Sequence, residues 1–128
     1  MRIAVAAVLG LVCCAAHAAD TTFGAELYRQ HCAACHGAVG EGDGPVAAVI
    51  QTNVPNLRSL QQRAGGVFPA DAVTAYVDGR DVKAAHGSRQ MPIWGDVFEI
   101  DDLPRRDADR ARGRIDAIVG FIAELQYR

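Results

Sequence analysis

At 128 residues, half of them apolar, the chain is long enough for one domain and too apolar for a disordered tail. A formal net charge of only −2 provides no basic excess, which argues against a nucleic-acid binder. Four cysteines are too few to staple a chain of this length as a disulfide scaffold.

The first stretch is expected to be missing from the folded protein. Met1-Arg2 precedes an apolar run from Ile3 to Ala16, closed by the small-x-small triplet Ala16-His17-Ala18. One positive charge, a short apolar core and such a triplet describe an export signal over residues 1–18, cut after Ala18. The run falls short of the roughly 18–20 apolar residues that span a bilayer, so the mature chain is expected to have no permanent membrane span. A lipid anchor on Cys13 or Cys14 is the weaker alternative, because Val12 and Cys13 are poor residues before that kind of cut. Export places the remaining domain, residues 19–128, in the periplasm. It also leaves Cys32 and Cys35 as the mature cysteines and Met91 as the mature methionine.

Phe23, Leu27 and Tyr28 give one apolar face to a helix predicted over Phe23–His31. That helix runs into Cys32-Ala33-Ala34-Cys35-His36, a C-x-x-C-H motif with three readings. A thioredoxin-like redox pair needs a strand leading into it, and no β-branched run lies nearby. A structural zinc site needs four ligands, and only His31 and His86 are available to help. Attachment of haem c fits best: two thiols about one helical turn apart suit the two vinyl edges of one porphyrin, and the next histidine faces the iron.

Residues 37–45 hold four glycines and end in Pro45, marking backbone that turns tightly or approaches something closely. A phosphate-cradling loop is disfavoured, since no Lys-Ser/Thr follows. Pro45 suits the first turn of a short helix through Ile50. Pro69 suits the start of another, with Val73, Tyr76 and Val77 as its stripe and Gly79 as its stop. Asp96, Glu99, Asp101 and Asp102 read as a solvated acidic loop. The last helix is predicted from near Asp107 to about Gln126, with Ile115, Ile118, Val119, Ile122 and Leu125 on its apolar face. Arg110, Arg112 and Arg114 read as its solvated, ion-paired side.

Taken together, Cys32-Ala33-Ala34-Cys35-His36-Gly37, Gly40-Glu41-Gly42-Asp43-Gly44-Pro45, Pro55-Asn56-Leu57, Met91-Pro92-Ile93-Trp94-Gly95 and the final helix resemble a class I, bacterial-type cytochrome c. The resemblance covers Phe23 to Leu125. It implies an all-α fold in which three to five helices wrap one haem bound covalently through Cys32 and Cys35, with His36 on the iron. It also implies that the first and last helices cross where Gly24 admits Phe121, and that the Pro45 carbonyl accepts a hydrogen bond from the His36 imidazole.

The second iron ligand is expected to be Met91, whose neutral thioether favours ferrous iron and whose backbone Pro92 stiffens. His86 is the rival ligand, core filling the bland role for Met91. Val46, Ile50, Leu57, Leu60, Phe68, Val77, Ile93, Trp94 and Phe98 are candidates to line the haem. Trp94, Arg58 and Arg80 are candidates for its propionates, and His31 is expected to be exposed without a role.

Six-coordinate iron leaves no place for substrate, so the expected function is electron transfer between periplasmic or membrane redox partners, not enzymatic catalysis. The alternatives are a haem subunit of a dehydrogenase or oxidase, a gas-binding or peroxidase-like haem protein, and a thiol protein without haem. No acid–base pair, Ser-His-Asp arrangement or dinucleotide motif is present.

Overall fold

The computed structural model describes the backbone of residues 13–20 and, with side chains, residues 21–50, 52–80, 90–101, 104 and 107–128. His86, the rival ligand, and Asp102 lie outside the described residues, as do residues 1–12 of the expected signal. The described residues form helices and turns and no strand. They comprise α1 (Cys13–His31), α2 (Ala33–His36), α3 (Leu60–Arg63, preceded by a tight 3-10 turn at Leu57–Ser59), α4 (Ala70–Asp78), α5 (Trp94–Asp101) and α6 (Ala108–Glu124). None of these helices is long and apolar enough to cross a membrane.

Helix α6 is the central element, packed against α1, α4 and α5. Asp107 starts it by accepting hydrogen bonds from the Asp109 and Arg110 amides, each 3.1 Å, which satisfies donors that a helix start leaves open. Its predicted apolar face lies in the core: Ile115, Ile118, Val119 and Ile122 are buried, Leu125 packs at the edge, and Ala111, outside that prediction, is buried with them.

Against this face α1 buries Gly24, Leu27 and Tyr28, while Phe23 stays largely exposed. A Cβ at Gly24 would strike the Ala117 carbonyl of α6 and press on the Phe121 Cβ. Absence of a side chain is therefore what lets the helices cross backbone to backbone, as the resemblance implied. One turn on, the Tyr28 and Phe121 rings meet at 5.2 Å between centroids.

Helix α4 begins after Pro69 and ends at Gly79, whose φ of 76° is open to glycine at little cost. Val77 is buried as predicted, but Tyr76 is half exposed, because only Val73 and Val77 of that stripe face the core. Two predictions fail locally. Residues 45–50 form successive turns instead of a helix. Asp96, Glu99 and Asp101 belong to α5, where Phe98 is fully buried and supplies the apolar anchor that an acidic composition disguised.

Overpacking the crossing has a defined outcome. Gly24→Ala is expected to cost about 1–3 kcal/mol in denaturant unfolding of the haem-loaded protein. Gly120→Ala, on the same helix pair but with open space around its Cβ, is expected to gain about 0.5–1 kcal/mol through helix propensity.

Candidate functional site

The C-x-x-C-H motif sits at the C-terminal end of α1 and forms its own short turn of helix, α2. Cys32 is buried in the core, and Cys35 and His36 are half-buried. The two thiols are not joined to each other. Burial, helped by Cys35, pushes the Cys32 thiol up to about 12, so it sits there as a neutral apolar group.

The glycine-rich segment folds back onto this turn. Gly42 and Gly44 donate their amides to the carbonyls of His36 and Cys35, at 2.8 and 3.2 Å, and Val46 donates to Ala34 at 2.9 Å. These bonds satisfy carbonyls that the end of α2 would leave unpaired. Gly44 is buried, and a Cβ there would meet the carbonyls of Ala33 and Ala34. The glycines thus serve close approach of backbone to backbone. The Tyr28 hydroxyl closes the turn from beneath, donating to the Gly37 carbonyl at 2.8 Å.

His36 Nδ1 faces the Pro55 carbonyl at 3.3 Å. Pro45, the proline expected in that role, is exposed on the turn after Gly44. The correction has a physical cause: the glycine segment spends its hydrogen bonds on the main chain of α2, and the chain returns past His36 only at Val54–Asn56. Gly40 accepts the Leu57 amide at 2.7 Å, which seats that return. Burial holds the His36 imidazole below its ordinary value, outweighing the opposite pull of the Pro55 carbonyl. A neutral ring donating from Nδ1 keeps its lone pair on Nε2, the form that ligates a metal.

The Pro55 segment is pinned by a residue that sequence patterning missed. Gln126 is the buried polar side chain among the described residues. Its amide nitrogen donates to the Leu57 and Ile122 carbonyls, both at 2.8 Å, and its oxygen accepts the Gln61 amide at 2.9 Å. Tyr127 adds a backbone bond to the Arg58 carbonyl at 2.9 Å. A glutamine two residues past the end of an amphipathic helix carries no recognisable signal in the sequence.

Met91 is half-buried and packs against the core with Trp94, Leu57, Leu60, Phe68 and Val73. Val77 and Phe98 are buried, Val46 and Ile50 half-buried, and Ile93 a little over a third exposed. Arg58 and Arg80 are engaged otherwise than expected. Arg58 pairs with Glu41 at 2.9 Å and lies over the Tyr127 ring, while Arg80 bridges Asp78 and Glu99. His31 is not a bystander: its ring meets Trp94 at 5.3 Å and Phe98 at 5.1 Å, both edge-on, joining the attachment helix to the start of α5.

These residues suit a covalent haem. Two unjoined thiols flank a turn, a neutral imidazole has a spare nitrogen, and half-buried apolar side chains including Met91 ring a small core. Among the described residues no cluster of three or more His, Cys, Asp or Glu is gathered; His86, considered above as a zinc ligand, lies outside them. Among the described residues a helix, not a strand, leads into the cysteine pair.

The family model described as "Cytochrome C oxidase, cbb3-type, subunit III" matches residues 19–108, well over half of the chain, and stops at the first residue of α6. No curated protein and no solved structure matches it. Replacing Gln126 by Ala is expected to cost about 1–3 kcal/mol in unfolding of the haem-loaded protein, because the Gln61 amide and the Leu57 carbonyl lose their buried partner.

Proposed function

The chain belongs to the family of cbb3-type cytochrome c oxidase subunit III, a c-type cytochrome domain, and from that membership we propose a monohaem electron carrier ligated by His36 and Met91. Haem c, bound through Cys32 and Cys35, supplies one-electron exchange at its iron. The chain's own residues do the rest. Pro55 holds the proton of His36 at Nδ1 and leaves Nε2 for the metal. The main-chain bonds from Gly42, Gly44 and Val46 tie down the attachment turn. Met91, stiffened by Pro92, offers a soft neutral sulfur from the opposite part of the chain. The single observation carrying this reading is the His36 imidazole, held at Nδ1 by the Pro55 carbonyl directly after the two cysteines of the attachment turn.

A filled coordination sphere favours electron transfer over substrate chemistry, and the partners are redox proteins. Export through residues 1–18 to the periplasm is part of the proposal, resting on the positive charge, short apolar run and Ala16-His17-Ala18 triplet of the sequence. The family's description favours a second reading of the partners, in which the chain is the haem subunit of a larger oxidase or dehydrogenase. Gel filtration of native extract followed by haem absorbance separates the two: elution with a large enzyme establishes the subunit, and elution at the size of the chain the free carrier.

The ligand set is tested directly by Met91→Ala. The oxidised protein is expected to show the weak red sulfur-to-iron band, and the variant to lose it. Reduced variant is expected to bind carbon monoxide fully, and its potential to fall, because the thioether that favours ferrous iron is gone. A native protein without that band, or a reduced variant that stays closed to carbon monoxide, would assign the sixth position elsewhere.

A further inference from the structure

Met91 lies three residues before α5, with Pro92 limiting the freedom between them, so whatever fixes the first turn of α5 also fixes the sulfur. Two contacts fix that turn. On one side Trp94 stacks on Phe98 at 5.5 Å and takes the edge of His31. On the other lies a charged brace. Arg80 Nε and Nη2 grip the two Asp78 oxygens at 2.7 and 2.6 Å, and its Nη1 reaches Glu99 on α5. Gly79, in the left-handed conformation at the end of α4, folds the chain so that Arg80 comes back over Asp78.

The brace is fitted to α5 at one position. Gly95 is buried, and a Cβ there would lie 2.5 Å from Arg80 Nε and 2.7 Å from Asp78 Oδ1. The guanidinium–carboxylate pair therefore rests flat on the backbone of the first turn. Its acids are only partly exposed, with 22 % of each side chain open to solvent. Arg80 holds the Asp78 carboxyl below the usual carboxylate range. Such bidentate pairing sets geometry in a way a point charge does not.

We propose that Arg80 is a positioning residue for the methionine ligand, acting through Asp78, Glu99 and the Gly95 turn of α5. The inference rests on the reading of Met91 as that ligand. When the brace is removed, α5 keeps its Phe98 anchor but its first turn gains freedom, and Met91 leaves the iron more often.

The test uses the full haem-loaded protein and the rate of carbon monoxide binding to its reduced form, which reports how often the sixth position opens. Arg80→Met is expected to raise that rate about three- to tenfold, the loss of a partly exposed charged brace. Glu99→Gln is expected to raise it less, and Arg80→Lys to restore part of the native rate, since an ammonium cannot grip both Asp78 oxygens. Asp116→Gly weakens α6 at an exposed position through lost helix propensity and is expected to leave the rate native. Native rates in both Arg80→Met and Glu99→Gln overturn the proposal, as does an equal rise in Asp116→Gly. Should Arg80→Met fail to fold, the Glu99→Gln result decides. A native protein without the sulfur-to-iron band refutes the Met91 reading itself, which is a different outcome from a native band and native variant rates.

Discussion

The approach of α1 to α6 at Gly24 is the constraint from which the site follows. A helix carrying any side chain there would stand off from the Ala117 carbonyl, and the whole of its C-terminal continuation would move with it. That continuation is α2, with Cys32, Cys35 and His36. The crossing also brings Tyr28 under the turn, where one side chain packs on Phe121 and hydrogen-bonds the Gly37 carbonyl. Glycine inside a helix is unfavourable by roughly 0.5–1 kcal/mol relative to Ala, a cost that packing of this closeness offsets.

Around the attachment turn, the site is built mainly of backbone. Three segments distant in sequence meet there: the end of α1 with α2, the glycine segment, and the return through Pro55. Their main-chain groups answer one another, so few polar atoms are left for side chains to satisfy. Where the backbone cannot do so, at the return, Gln126 supplies donor and acceptor together. Ordering so much glycine is entropically expensive, and a dense set of mutual hydrogen bonds is what holds it. Rigidity of this kind suits a one-electron carrier, because a ligand sphere that need not move between oxidation states exchanges electrons with little rearrangement.

The core is small for the length of the chain, with most of its buried apolar side chains on α1 and α6. A ring of half-buried residues, Leu57, Leu60, Phe68, Met91 and Trp94 among them, surrounds it. Their apolar faces call for an apolar partner, and a haem tied by two thioethers is large enough to be that partner. Cofactor and core are then one object, which is how a domain of this size reaches stability.

The sequence by itself determined what depends on local chemistry. C-x-x-C-H pointed to the cofactor because, of its three readings, haem attachment alone suits both the thiol spacing and the histidine that follows. The apolar face of α6, its start near Asp107, and the Pro69 start and Gly79 stop of α4 were legible from periodicity and residue type, and Gly24 at a crossing from the family resemblance. Tertiary structure decided what depends on distant segments meeting. The resemblance implied Pro45 as the carbonyl that accepts from His36; only the path of the returning chain selects Pro55. Arg58 and Arg80 look like free cations until Glu41, Asp78 and Glu99 are brought beside them. His31 looked idle because Trp94 and Phe98 lie more than sixty positions away, and Gln126 because its partners come from the 3-10 turn and α3. Hydrogen bonds and ring contacts between remote residues leave no period in a sequence, since they are satisfied by position in space and not by order along the chain.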